Sequence, residues 1–346
     1  MKRMFWAWAV VVMAALALGL AACGDDDDDD GGGGGGGEAQ GETIKAGMVT
    51  DIGGLNDRSF NFLANKGMEQ AQSELGTEIR VVVSDSNGDY VPNLTTLAQQ
   101  QFDLIVPVGF LMADATNTVA TKVPSANFAI VDFSAAGLKD KPKNVQGLLF
   151  KENEAGYLAG YLAGLWAKDN NAKTVSTVGG QKIPPVDAYI AGFQAGAKKA
   201  SPGIETLNGY SQDFVDQAKC KEIALDQIAQ GSKVVFQVAG GCGLGALDAA
   251  KEKGVQGIGV DADQAYLGPH ILTSALKKVD VAVFQAVKRA QAGNFKGGTD
   301  VIATVENGGV GLGKLSAEGQ KYADQMQQIE DQIASGEIKN IPDTVQ

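Results

Sequence analysis

The sequence predicts an α/β protein built from two doubly wound, mostly parallel sheets. Short runs of β-branched residues alternate with longer stretches of helical periodicity, which is typical of repeated strand–helix–strand units. Two such series follow one another along the chain, so we expect two lobes with a hinge and a cleft between them. Residues 42–346 are long enough for two lobes of ordinary domain size.

The N-terminus has the features of a secretory signal. Lys2 and Arg3 precede an apolar stretch, residues 4–22, that runs directly into Cys23. A charged start, an apolar middle and a small-residue end predict a signal peptide over residues 1–22. The residues around Cys23 resemble the bacterial lipobox, in which this cysteine becomes the lipidated first residue of the mature protein. An uncleaved membrane helix is the alternative, because the stretch approaches a span of about 20 apolar residues.

A low-complexity segment follows the cysteine. Residues 25–30 are six aspartates and residues 31–37 are seven glycines. Like charges repel and glycine has no preferred conformation, so residues 23–41 are predicted to form a flexible leash. The leash and the lipid would hold the folded part on the extracytoplasmic face of the cell membrane, with no other membrane contact.

Composition argues against several classes of partner. The formal net charge is −12, and the six aspartates of the leash equal half of it. Nucleic acid is therefore not expected as a partner, because a phosphate backbone requires a basic face. The single histidine, His270, has no cysteine or carboxylate cluster at ligand spacing, which argues against a zinc site. No metal or other cofactor is expected, and the protein is predicted to be a monomer.

The first series of elements begins at residue 44. Strands are predicted over 44–50, 79–83, 104–108 and 127–133, with 147–150 leading out of the lobe. Helices are predicted between them over 59–75, 93–100 and 114–122.

The second series begins with a helix over 152–166, in which Gly156, Gly160 and Gly164 recur every four positions and favour close packing against a neighbouring helix. Strands are predicted over 174–179, 205–210, 234–238, 256–260 and 271–275, and helices over 186–200, 216–229, 244–253, 280–292 and 316–336. From this pattern we assign 42–150 plus 264–297 to the first lobe, and 151–263 plus 298–346 to the second.

The polar clusters of the sequence fall at the predicted ends of strands. These clusters are residues 51–57, Asp132, residues 240–243 and residues 261–263. In open parallel sheets, ligands bind beyond the carboxyl ends of the strands, where loops meet helix N-termini. The sequence therefore predicts one ligand cleft formed by both lobes.

Cys220 and Cys242 remain as a pair in a compartment where disulfides persist. Cys220 lies in the first turn of a predicted helix, and Cys242 follows the strand to which that helix leads, so both lie on one rim of the second lobe. A bond between them would stabilise that lobe by about 3 kcal/mol. Two free buried thiols are the alternative.

Four stretches carry a resemblance to a known family. They read DIGGLNDRSFNFLANKG at 51–67, FVDQAKCKEIALDQIAQGSKVVFQVAGGCGLGALDAA at 214–250, GVDADQ at 259–264 and LTSALKKVDVAVFQAV at 272–287. They resemble the basic membrane protein family, the purine nucleoside receptor lipoproteins that serve ABC importers. The resemblance implies a type I periplasmic-binding-protein fold, a nucleoside ligand and ABC permease subunits as partners.

The resemblance also implies roles for individual residues. The base would stack between Phe60 and Phe214, although the alignment could slip from Phe214 to Tyr210. Asp51, Asp57 and Asn61 would read the base edge or order their loop, and the two aspartates are equally suited to local turns and helix caps. Asp132 is expected to face the cleft, and Gly240 to let the backbone approach the ligand. Asp261 and Lys277 are expected to bind the ribose hydroxyls, and Lys277 also to bridge to a carboxylate.

An enzyme is not expected, because the sequence supplies no metal cluster, nucleophile elbow or histidine base. The glycines of AGGCGLG imitate a dinucleotide fingerprint but lack the acidic partner after the next strand. Two alternatives within the same fold stay open. One is a ligand-sensing lipoprotein that signals to a membrane receptor, and the other is a sugar-binding protein.

Overall fold

The computed structural model of the chain describes residues 43–345. The predicted signal peptide, the predicted lipidation site Cys23 and the predicted leash lie outside these residues. Within residues 43–345, no helix has both the length and the apolar character that a membrane span requires.

Twelve strands of the described residues form two sheets of six. The strands are β1 (Lys45–Val49), β2 (Glu78–Val82), β3 (Leu104–Pro107), β4 (Asn127–Val131), β5 (Val145–Phe150), β6 (Thr174–Gly179), β7 (Glu205–Tyr210), β8 (Ser232–Val238), β9 (Gln256–Asp261), β10 (Ile271–Lys277), β11 (Asp300–Ala303) and β12 (Val310–Leu312).

Helices flank both sheets. They are α1 (Phe60–Leu75), α2 (Tyr90–Gln99), α3 (Ala113–Lys122), α4 (Glu152–Asp169), α5 (Pro184–Ala200), α6 (Gln217–Ala229), α7 (Gly240–Lys253), α8 (Val279–Gln291), α9 (Ala317–Gln320) and α10 (Ala323–Ala334).

The spatial order of the strands is that of two doubly wound units. The first sheet runs β11-β5-β4-β3-β1-β2 and the second runs β12-β10-β9-β8-β6-β7. Neighbouring strands are parallel except for the antiparallel pair of β10 and β12. The predicted fold class is therefore confirmed.

The strands exchange between sheets at different points from those predicted. Residues 264–297 were assigned to the first lobe, but β10 pairs with β9 in the second sheet. Residues 298–346 were assigned to the second lobe, but β11 pairs with β5 in the first sheet. The predicted boundary fell too early because β10 is a buried strand of the second sheet, and the chain returns only with α8, which packs against α1.

Three crossings consequently join the sheets: from β5 into α4, from β10 into α8, and from β11 to β12. The strands β11 and β12 were not predicted, since they are only four and three residues long. A short strand offers too few residues to show an alternating pattern.

The glycine spacing in α4 allows that helix to lie directly on α5. A β-carbon at Gly156 would collide with the carbonyl oxygen of Tyr189, and one at Gly160 would collide with that of Phe193. The predicted close packing of this helix is thus confirmed, and it fixes the start of α4 against the second sheet.

Several helix boundaries differ from the prediction. α7 begins at Gly240, four residues before the predicted start, because its first turn is the glycine-rich segment that reads as a loop. The predicted C-terminal helix is divided into α9 and α10. The start at Gly240 brings the N-terminus of α7 to the carboxyl end of the second sheet.

Candidate ligand-binding site

A cavity lies between the carboxyl ends of the two sheets. The structure brings all nine predicted ligand-binding residues to its wall: Asp51, Asp57, Phe60, Asn61, Asp132, Phe214, Gly240, Asp261 and Lys277. Tyr210 does not line it.

Asp57 fixes the start of α1. Its Oδ1 accepts hydrogen bonds from the backbone N–H groups of Ser59 and Phe62, both at 3.0 Å, and its Oδ2 accepts from the backbone N–H of Asn61 at 2.7 Å. The first N–H groups of a helix have no partner within the helix. These contacts therefore give Asp57 the helix-capping role, which is one of the roles that the sequence left open for it.

Asn61 links Asp57 to Asp51. Its Nδ2 donates to Asp51 Oδ1 at 2.7 Å and to Asp57 Oδ2 at 3.2 Å, while its Oδ1 accepts from the backbone N–H of Asp51 at 3.3 Å. Burial raises the pKa of Asp51 to about 6, although the hydrogen bonds from Asn61 and Gly53 lower it. The amide of Asn61 is thus committed to ordering the loop, and Asp51 is the member of this group that offers a carboxyl to the cavity.

A buried ion cluster contributes Lys277 and Asp132 to the cavity wall. Lys277, the last residue of β10, has a side chain that is 2% exposed. Its Nζ donates to Asp132 Oδ2 at 2.6 Å and to Glu152 Oε1 at 2.9 Å. Burial alone would lower the pKa of Lys277, but Asp132, Glu152 and Asp261 together raise it above its ordinary value. The lysine is therefore an ammonium at neutral pH.

Burial is the main influence on the pKa values of the two carboxyls in the cluster, Glu152 and Asp132. Burial raises the pKa of Glu152 to about 7, with Lys277 acting to lower it and Asp132 acting to raise it. The pKa of Asp132 is also raised by burial, against the effect of Lys277. One ammonium faces two carboxyls here, so the cluster has no spare positive charge for an anionic ligand.

Asp132 retains an unused acceptor. It follows β4 with a φ of 66°, in the left-handed region. Its Oδ1 is buried and has no hydrogen-bond partner among residues 43–345. A buried oxygen without a donor costs free energy comparable to a lost hydrogen bond. A ligand hydroxyl placed in the cavity would supply that donor.

Phe60 and Phe214 bring two rings to the cavity from different sheets. Phe60 is the first residue of α1, and its ring centroid lies 5.0 Å from Lys277 Nζ. Gly109, with a φ of 114°, leaves room beside it, since a β-carbon there would lie 3.4 Å from Phe60 Cε1. The ring of Phe214 lies against Gly180, where any β-carbon would collide with it.

Of the two candidate rings Phe214 and Tyr210, only Phe214 lines the cavity. The hydroxyl of Tyr210 donates to Asp187 Oδ1, outside the cavity wall. Gly240, at the start of α7, has a φ of 53°, a conformation that favours glycine. A β-carbon at Gly240 would lie 3.5 Å from the carbonyl oxygen of Phe214.

Asp261 connects the two sheets. It ends β9 with a φ of 59°, and its Oδ2 accepts from Ser59 Oγ, beside α1, at 2.8 Å. Its Oδ1 accepts from the hydroxyl of Tyr189 in α5 at 3.2 Å. Burial raises the pKa of Asp261 to about 6, while Lys277 lowers it. Asp261 therefore lies at the seam, where it joins the first helix of one half to the strand end of the other.

Three contributors were not identified from the sequence: Ser59, Glu152 and Tyr189. Glu152 carried a usable signal, because it is the first helical residue after the strand that leaves the first sheet. Tyr189 lies within a helix pattern and gave none. Ser59 was read only as the start of α1.

Cys220 in α6 and Cys242 in α7 are joined by a disulfide, with their Cα atoms 5.6 Å apart. Both residues are buried. The backbone N–H of Cys242 donates to the carbonyl oxygen of Phe214 at 2.9 Å. The bond thus supports the segment that presents the Phe214 ring. Within residues 43–345, no group of three His, Cys, Asp or Glu side chains is placed to hold a metal.

Comparisons with known proteins agree along almost the whole described chain. A family profile described as ABC transporter substrate-binding protein PnrA-like matches residues 44–344. The ABC transporter nucleoside-binding protein BmpA of Lactococcus lactis is 37% identical over 292 residues, which cover 78% of this chain and 81% of that protein. Basic membrane protein B of Borrelia garinii is 33% identical, with 80% of this chain and 82% of that protein covered.

Solved structures share the architecture. A solute-binding protein of an ABC transporter system from Aeropyrum pernix superposes with a TM-score of 0.78 at 27% identity, covering 86% of this chain and 94% of that one. A solute-binding protein from Conexibacter woesei gives a TM-score of 0.71 at 24% identity, which supports the fold alone.

Proposed function

The chain belongs to the PnrA-like family of ABC transporter substrate-binding proteins, and from that premise we propose that its cavity binds a nucleoside. The observation that carries this proposal is the convergence on one cavity of two phenyl rings and two buried carboxyls, one of which has an oxygen without a donor among residues 43–345. Phe60 and Phe214 line it together with Asp132 and Asp261. A flat base requires ring faces and a ribose requires acceptors for its hydroxyls.

The two parts of a nucleoside match different walls. Stacking of a base on aromatic rings contributes about 1–3 kcal/mol per base, and Phe60 and Phe214 would supply those faces. Asp51, held by Asn61 and Gly53, would read the polar edge of the base. Asp132 Oδ1 has no donor among the described residues, and with Asp261 and Lys277 it would receive the ribose. The relative named as nucleoside-binding in Lactococcus lactis supports this ligand class.

We further propose that the protein delivers its ligand for import. Substrate-binding proteins of ABC transporters work with permease subunits, and several relatives of this chain are named lipoproteins. A lipid on Cys23 would hold the protein on the extracytoplasmic face of the membrane, and the monomer would close its two lobes over the ligand. No chemistry is performed on the solute. Closure is a hinge motion biased by ligand contacts to both lobes.

A calorimetric screen of the purified full-length chain tests the ligand class. The panel contains adenosine, inosine, guanosine and uridine, together with free bases, ribose, arabinose and galactose. Binding of at least one nucleoside more tightly than its own base and ribose supports the proposal. Binding of a sugar with no nucleoside binding overturns it in favour of the sugar-binding alternative.

A single variant tests the ribose assignment. Asp261→Ala removes the carboxylate at the seam, and we expect weaker nucleoside binding with little change for the free base. Uptake tests the transport role, since a strain lacking the gene should lose import of the same nucleoside. Normal import with loss of a transcriptional response to the nucleoside would instead favour the sensing alternative.

A further inference from the structure

Glu152 occupies a position at the hinge that the proposed ligand contacts do not use. It is the first residue of α4, directly after the crossing from β5, and it is 7% exposed. A glutamate is rarely so buried unless it is paired. Its Oε1 accepts from Lys277 Nζ at 2.9 Å, and Lys277 ends β10 beside the crossing into α8. The pair thus links two of the three crossings.

Glu152 and Asp132 hold the same ammonium from different halves of the molecule. Asp132 follows β4 of the first sheet. Lys277 belongs to β10 of the second sheet, against which α4 packs. The contact between α4 and α5 through Gly156 is close enough to exclude a β-carbon, so the start of α4 is fixed relative to the second sheet.

A hinge motion separates groups on different lobes and preserves contacts within one lobe. An ammonium with a 2% exposed side chain requires a charged partner at all times, because an unpaired buried charge is strongly destabilising. Asp132 follows a strand of the first sheet, so opening of the lobes would draw it away from Lys277. Glu152 starts a helix that packs against β10, so it would stay beside Lys277.

We propose that Glu152 is a positioning residue that keeps the Lys277 ammonium aimed at the ribose side of the cavity whether or not Asp132 has closed on it. The inference rests on the proposed nucleoside function and deepens it, because it assigns the pre-organisation of the sugar contact to a residue outside the cavity wall. Binding of a free base, which would rest on stacking against Phe60 and Phe214, should not depend on Glu152.

The test compares Glu152→Gln with wild type in the full-length chain. Fixing an otherwise mobile long side chain on binding weakens affinity by about two- to tenfold. We therefore expect Glu152→Gln to bind adenosine and inosine about three- to tenfold more weakly, with adenine and hypoxanthine changed by less than about twofold. Isothermal calorimetry gives both values. Glu154→Gln is the matched control, since that glutamate lies in the same helical turn and accepts from the backbone N–H of Val305.

A second variant guards against misfolding. Glu152→Asp keeps the charge but withdraws the carboxylate by one methylene, so its nucleoside affinity should lie between those of wild type and Glu152→Gln. Equal losses for nucleosides and free bases would indicate a merely structural role and overturn the inference, as would unchanged nucleoside affinity in both variants. If wild type binds no nucleoside of the panel while both variants fold, the proposed function fails and the inference fails with it.

Discussion

Replacement of Lys277 by methionine should make the stability of the protein strongly dependent on pH. Methionine matches the apolar stem of lysine, so the change removes the charge with little loss of packing. It leaves Asp132 and Glu152, which lie 2.6 and 2.9 Å from the ammonium in the wild type, buried without a cation. Removing one partner of a buried ion pair costs about 3–5 kcal/mol.

The loss of stability cannot exceed the free energy needed to protonate the two carboxyls, and that free energy depends on pH. A carboxyl that must be neutral when buried costs about 1.4 kcal/mol for each pH unit above its unfolded pKa. With ordinary values of 4.5 for Glu152 and 3.8 for Asp132, the limit for the two carboxyls together is about 11 kcal/mol at pH 8 and about 2 kcal/mol at pH 5. At pH 8 this limit exceeds the cost of the broken ion pair, so Lys277→Met should lose about 3–5 kcal/mol of unfolding free energy there, and no more than about 2 kcal/mol at pH 5.

Urea unfolding of wild type and variant at both pH values measures this difference. Lys278→Met is the control, because Lys278 is the exposed neighbour and its loss should change stability by no more than about 0.5 kcal/mol. A loss of the same size at pH 5 and pH 8 would show that Lys277 contributes by packing and not by charge. No loss at pH 8 would refute the buried ion cluster.

Three further outcomes can be checked on the same protein. Phe60→Ala should weaken nucleoside binding by about 1–3 kcal/mol, roughly 5- to 150-fold, while Phe62→Ala, with a 45% exposed ring, should leave the calorimetric affinity unchanged. Cys220→Ser with Cys242→Ser should lower the urea unfolding free energy by about 3 kcal/mol for a separation of 22 residues, and unchanged stability would contradict the bond. Burial raises the pKa of Asp261 from 3.8 to about 6, so the contribution of Asp261 to stability is complete below pH 3.8 and is lost as the pH rises through 6. Asp261→Asn should therefore flatten the fall in unfolding free energy between pH 3.8 and pH 6. An unchanged slope would count against the burial of Asp261.

The architecture was predictable because it depends on local patterns. The alternation of strands and helices predicted the order of β1 to β10, and the spacing of Gly156 and Gly160 indicated that α4 packs closely on another helix, which the structure identifies as α5. The return crossing was not predictable, because whether β10 joins the second sheet or the first depends on which strand edge is free. That is a property of the assembled sheet and not of the segment.

The site divides in the same way. Residues at strand ends converge because parallel strands end at one edge, and this rule located the clusters at 51–57, 132, 240–243 and 261–263. The family resemblance, and not this rule, supplied Phe60, Asn61, Phe214 and Lys277. The task of each residue depends on contacts that the sequence does not show. Both carboxylate oxygens of Asp57 accept hydrogen bonds from backbone N–H groups at the start of α1. Glu152 can be buried because it pairs with Lys277, which lies in a strand 125 positions later.

The charges of the cavity bear on which solutes it can accept. Lys277 is the one cation that lines it within residues 43–345, and Asp132 and Glu152 already hold that ammonium. Two unit charges 4 Å apart interact by about 4 kcal/mol at an effective dielectric constant of 20. A phosphate in the cavity would meet that repulsion from the nearby carboxylates, such as Asp261, with no free cation to offset it. A neutral solute instead brings hydroxyl donors to the same oxygens, so the acidic wall that favours a nucleoside is also what would reject a nucleotide.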